Sequence, residues 1–77
     1  MKPMQVQIGQ KVYVPNPDGE PILATVLEFG GPDDAVEVVI DGKPIKSDVA
    51  LVRHDEGESK GFIARVPYHL IAVDRHA

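Results

Sequence analysis

The chain has 77 residues, no cysteine and a formal net charge of −4 from twelve acidic and eight basic side chains. This length predicts one domain, and the lack of cysteine excludes disulfides and thiolate zinc sites. The acidic balance argues against general nucleic-acid binding and against anionic membrane surfaces, because both attract basic proteins.

The first half of the chain predicts strands that are separated by Gly- and Pro-rich turns. Alternation and β-branched content predict strands over residues 11–14, 22–29 and 35–40. Residues 15–21 contain three prolines together with Asp18-Gly19, so we expect a stiff loop there. The residue 22–29 strand is apolar on both faces, as is typical of a strand inside a barrel.

The second half continues the same alternation of strands and turns. Asp41-Gly42 favours a type I′ hairpin turn, because these residues tolerate positive φ angles. The weak strand that follows contains Pro44, which restricts it to a sheet edge. Further strands are predicted over residues 49–54, 62–66 and 71–73. Residues 55–61 predict a mobile loop, and residues 67–70 predict one 3-10 turn.

The pattern as a whole predicts an all-β fold. We expect five to six short antiparallel strands, with one 3-10 turn before the last strand and no helix longer than about one turn. Phe29 is expected in the core. The other expected core residues are Val12, Val14, Leu23, Val26, Leu27, Val36, Val38, Ile40, Leu51, Phe62 and Ile71.

Both ends of the pattern resemble one fold family. Gly9 stands just before the Val12-Tyr13-Val14 strand, and Pro67-Tyr68-His69-Leu70 forms a corner before the last strand. In this plan the chain resembles the SH3-like barrel superfamily, which includes Tudor and KOW-type modules. The resemblance implies a small SH3-like barrel over residues 8–74, a flexible segment over residues 1–7 and a frayed end over residues 75–77. It also implies a binding role, although a fold alone does not fix function.

Catalytic and metal signatures are weak in this sequence. His54, His69 and His76 lack the short spacing of a metal site. No serine lies in a strained elbow beside an oxyanion-hole glycine pair. We therefore expect no enzyme activity, no cofactor and no metal.

The favoured function is a small non-catalytic protein-binding module, such as a phage- or plasmid-type regulator or inhibitor of a larger protein. One alternative is a structural subunit of a homo-oligomer. Another is a pore enzyme built from several copies, like the small plasmid dihydrofolate reductases. The counterpart of their Val-Gln-Ile-Tyr run is Arg65-Val66-Pro67-Tyr68, which lacks the Gln and the Ile. With no apolar run long enough to span a bilayer, we expect a cytoplasmic protein.

Candidate binding residues lie on the stiff 15–21 loop and on the 67–70 corner, because recognition residues concentrate on loops that a rigid scaffold positions. Asp18 and Glu20 would favour a basic partner. The two tyrosines either form part of a groove or plug the ends of the barrel. The acidic loop over residues 55–61 is the rival surface. The full candidate set is Tyr13, Pro15, Pro17, Asp18, Glu20, Pro67 and Tyr68.

Overall fold

The computed structural model describes residues 6–73, and within them every strand pairing is antiparallel. The six strands are β1 (Lys11–Val14), β2 (Ile22–Phe29), β3 (Val36–Ile40), β4 (Lys43–Ser47), β5 (Val49–His54) and β6 (Ile63–Pro67). Single 3-10 turns cover Pro32–Asp34 and Tyr68–Leu70. Residues 6–73 contain no α-helix and no helix that could cross a membrane. The all-β prediction is confirmed.

The strands form two sheets. Four of them lie in the order β1-β2-β5-β6, and β3 pairs only with β4. Along the chain, the β3–β4 hairpin comes between β2 and β5, which are the two central strands of the larger sheet. Its turn has positive φ at Asp41 (52°) and Gly42 (78°), as the predicted type I′ geometry requires.

The end of the described chain returns to β1. Tyr13 and Ala72 exchange two backbone hydrogen bonds, with N–O distances of 2.8 and 2.9 Å. Only this bridge forms where a final strand over residues 71–73 was predicted, so that prediction is corrected. The Tyr68–Leu70 turn lies before the bridge, as predicted.

The core is built mostly from small side chains on the inner face of the four-stranded sheet. The largest fully buried side chains are four valines and Ser47. The buried apolar cluster consists of Val6, Val12, Val14, Ala24, Val26, Ala50, Val52, Val66 and Ile71. The core thus includes Val6, which lies inside the segment predicted to be flexible. Residues 1–5 and the frayed end predicted over residues 75–77 lie outside the described residues.

A β-bulge explains why part of the predicted core is wrong. The register between β2 and β5 shifts between Val26 and Glu28, which leaves Leu27 as an extra residue on β2. Alternation therefore breaks there, and Leu27 is only half-buried. Phe29 lies beyond the bulge and is exposed rather than in the core.

Other residues that were predicted in the core lie instead at sheet edges or on the face that points away from the core. Phe62 lies just before the edge strand β6 and is 68% exposed, and Val36 on the hairpin is 38% exposed. On β5, Val52 points inward while the predicted Leu51 is half-buried. The other expected core residues that prove only half-buried are Leu23, Val38 and Ile40.

Candidate functional site

A cleft of about 640 Å³ opens between two loops at one end of the four-stranded sheet. One wall is the proline loop (residues 15–21), which joins β1 to β2. The other wall is the acidic loop (residues 55–61), which joins β5 to β6. The residues that line this acidic cleft are Asn16, Asp18, Glu20, Pro21, Ile22, Glu56, Gly57, Glu58 and Ser59.

The proline loop is held in place by its own sequence. Asn16 accepts the Asp18 N–H on its side chain (3.2 Å) and the Gly19 N–H on its carbonyl (3.2 Å). This is the local turn that asparagine favours, and the flanking prolines restrict the backbone further. Asp18 and Glu20 are therefore presented to solvent from a restrained backbone.

The acidic loop is docked against the start of β2. The Leu23 N–H donates to Glu56 Oε1 (3.1 Å), and the Asp55 N–H donates to the Leu23 carbonyl (2.8 Å). The loop is also held to the end of β5, where His54 Nδ1 and Ser59 Oγ lie 2.7 Å apart. Gly61 N–H also donates to the His54 carbonyl (2.8 Å). The sequence predicted only a mobile loop and gave no sign of these contacts.

All the charged side chains that line the cleft are acidic. Four carboxylates line it, from Asp18, Glu20, Glu56 and Glu58, and no Lys or Arg is among its lining residues. Charges of one sign along a cleft focus the field and attract groups of the opposite sign. The arrangement therefore suits a cationic ligand group.

A charge cluster on the outer face of the sheet supports the acidic loop. Asp55 Oδ2 accepts hydrogen bonds from the Thr25 hydroxyl (2.5 Å) and Lys11 Nζ (2.9 Å), and Oδ1 accepts one from Arg53 Nε (3.2 Å). These groups lie on β1, β2 and β5, so one carboxylate ties three strands together. The Thr25 and Lys11 hydrogen bonds, more than the Arg53 contact, lower the pKa of Asp55 from 3.8 to about 2.

Two of the predicted binding residues line the cleft, namely Asp18 and Glu20. Pro15 and Pro17 lie on the same loop and are exposed, outside the lining set. Tyr13 is half-buried on β1 and pairs with Leu23 of β2.

The corner residues lie at the other end of β2. The Tyr68 ring centroid is 6.3 Å from that of Phe29, the last residue of β2, whereas the proline loop joins the first residue, Ile22. Tyr68 also packs against the buried core, and Pro67 is half-buried. A groove formed by the two tyrosines stays a prediction.

The sequence missed that the two loops are neighbours. Residues 55–61 were a rival to the proline loop, but the pairing of β2 with both β1 and β5 brings the two loops to one cleft. Glu56, Glu58 and Ser59 therefore join the candidate site. The order of strands in a sheet depends on long-range packing, so no sequence motif indicated that the two loops are neighbours. The three acidic residues within 55–58 were the one local feature that pointed to a charged site.

Buried Ser47 contacts a histidine, but its geometry points to a structural role. Ser47 Oγ donates to the Asp48 carbonyl (3.0 Å), accepts from the backbone N–H of His69 (3.1 Å) and lies 2.8 Å from His69 Nδ1. These bonds tie β4 to the Tyr68–Leu70 turn. Among residues 6–73, no group of His, Asp or Glu side chains is arranged to hold a metal ion.

The acidic cleft is thus defined by geometry and charge alone. Comparison of the chain with protein-family models, with curated proteins and with solved structures gives no match.

Proposed function

We propose that this chain is a small SH3-like barrel that acts as a non-catalytic protein-binding module. Support for the barrel comes from a chain of hydrogen-bonded neighbours that runs from β6 through β5 and β2 to β1. From β1 it continues to Ala72, which follows β6 through one 3-10 turn. This bridge covers part of the β1 edge, which is the direction in which a barrel closes.

The observation that carries the binding proposal is the acidic cleft. Hydrogen bonds within the proline loop and between the acidic loop and β2 hold the two walls in place, so these loops would lose little entropy on binding. Four carboxylates around one opening attract cations. The apolar side chains of Pro21 and Ile22 add surface for the carbon stem of a long side chain.

The occupant we propose is a basic segment of a larger protein, with a Lys or Arg side chain in the cleft. Arginine pairs bidentately with carboxylates, which gives direction as well as affinity. A nucleic acid is disfavoured, because a chain of net charge −4 repels phosphates. A module of this kind would regulate or inhibit the protein that carries the basic segment.

The test is fluorescence anisotropy with a labelled peptide rich in lysine and arginine. The cleft variant is Asp18→Asn, Glu20→Gln, Glu58→Gln. The control variant is Glu28→Gln, Asp33→Asn, Asp41→Asn, which removes the same charge from exposed positions elsewhere. Glu56 is left intact in both, because it holds the backbone of Leu23.

We expect the cleft variant to bind roughly tenfold more weakly than the parent, since three exposed ion pairs of about 0.5 kcal/mol each would be lost. The control variant should retain nearly the affinity of the parent. Equal losses in the two variants would show that only net charge attracts the peptide, and the cleft proposal would then fail.

A further inference from the structure

The outer edge of β3 has no partner within the described residues. β3 pairs with β4 on one side only, and no other backbone hydrogen bond from residues 6–73 reaches residues 36–46. Alternate N–H and C=O groups of such an edge point outward and can pair with another strand. The two strands of the hairpin contact each other extensively, and neither has extensive contacts with the larger sheet.

The other comparable edges carry residues that discourage pairing. β4 contains Pro44, which lacks a donor, and the exposed charges of Lys43 and Lys46. β6 contains Arg65, whose Nη2 lies 2.8 Å from Asp34 Oδ1, and ends at Pro67. Lysine, proline and bulky charges are the usual protection of an edge strand.

β3 lacks this protection. Its sequence is Val-Glu-Val-Val-Ile, with four β-formers, one acid, no proline and no lysine. Val39 is 70% exposed on the outer face of the hairpin. An exposed strand of this composition is suited to pair with another strand.

We propose that β3 pairs antiparallel with β3 of a second copy of this chain, with Val38 opposite the second copy's Val38. The two hairpins would then form one four-stranded sheet, in the order β4-β3-β3-β4. Isolated two-stranded hairpins are marginally stable, and three or more strands are needed for independent stability. A two-fold axis through Val38 closes the assembly at two copies.

A second copy is the occupant that fits best, because the strand is complementary to itself in this register. On the inner face, Val36 lies opposite the second copy's Ile40, so apolar groups meet apolar groups. On the outer face, Glu37 lies opposite the second copy's Val39 rather than opposite another acid. Like charges directly opposite would be unfavourable, and this register avoids them.

The test uses two substitutions at one exposed position, Val39→Glu and Val39→Lys. In the proposed register, residue 39 faces Glu37 of the second copy, so glutamate repels and lysine attracts. Within one chain, residue 39 shares its face of β3 with Glu37 and lies diagonal to Lys46 across the hairpin, so these two effects on the monomer oppose each other. The test therefore measures association itself, separately from folding.

Sedimentation equilibrium of the full chain supplies the readout, with thermal unfolding to confirm that each variant folds. We expect the parent to reach twice the 8.4 kDa of one chain as concentration rises. Val39→Glu should weaken the dimer and Val39→Lys should strengthen it, each roughly 2- to 30-fold, because two symmetric pairs change.

Three results would overturn this proposal. One is a parent that stays monomeric at every concentration. The second is an assembly larger than two copies. The third is equal weakening by both substitutions, which would show association through apolar surface without the proposed register.

Discussion

Asp55 shows how one carboxylate can organise this small protein. Its side chain is 14% exposed and accepts hydrogen bonds from three strands. Lys11 and Arg53, by contrast, are about half exposed, so solvent screens their share of the interaction. The hydroxyl of Thr25 adds directionality, because it accepts from Lys11 Nζ (2.8 Å) and donates to Asp55.

We expect Asp55→Asn to lower the free energy of unfolding by about 1–2 kcal/mol at pH 7, because a charged acceptor is lost. The pKa of Asp55 is lower in the folded state, so its contribution is present above about pH 3.8 and is lost as pH falls toward 2. Urea denaturation at several pH values measures this difference. Asp33→Asn is the control, since Asp33 is exposed. A parent–variant difference that stays constant down to pH 2 would contradict the assignment.

Ser47 is a second residue with a structural task, since it joins the hairpin to the corner. We expect Ser47→Ala to destabilise the protein by about 1–3 kcal/mol, because the His69 N–H loses its acceptor. Thermal or urea unfolding measures the change. A loss below about 0.5 kcal/mol, typical of surface sites, would show that water replaces the hydroxyl without cost.

At the scale of elements, the inner face of the sheet depends on a row of valines. Val26 of β2 lies opposite Val52 of β5, and both are fully buried. We expect Val26→Ala and Val52→Ala each to cost about 2 kcal/mol, from lost burial and the cavity left behind. Ile8 lies outside the strands and is 64% exposed, so Ile8→Ala is the control and should change the free energy of unfolding by less than about 0.5 kcal/mol. Similar losses at all three positions would mean that the inner face is misassigned.

The strands and turns could be predicted because their signals are local. Asp41-Gly42 and the three prolines of residues 15–21 act through the backbone of the residues themselves. β1, β2 and β5 begin and end at the predicted residues. The buried faces were harder to predict, because the bulge at Leu27 shifts the alternation and depends on the partner strand.

At the scale of the whole molecule, two of the four carboxylates in the candidate site could be predicted from the sequence. Asp18 and Glu20 stand on a loop that its prolines mark as stiff, and the sequence singled them out. Glu56 and Glu58 belong to the same cleft only because β2 lies between β1 and β5. Strand order depends on long-range packing, which hydrophobic alternation in one sequence does not reveal.

The most direct test of the binding proposal is a nuclear magnetic resonance titration of ¹⁵N-labelled protein with the peptide rich in lysine and arginine. We expect the largest amide shifts at Gly19, Gly57 and Ser59, on the two walls of the acidic cleft, with little change at Tyr68 and His69. Largest shifts at Tyr68 and His69 would place binding at the corner and contradict the acidic cleft as the binding site.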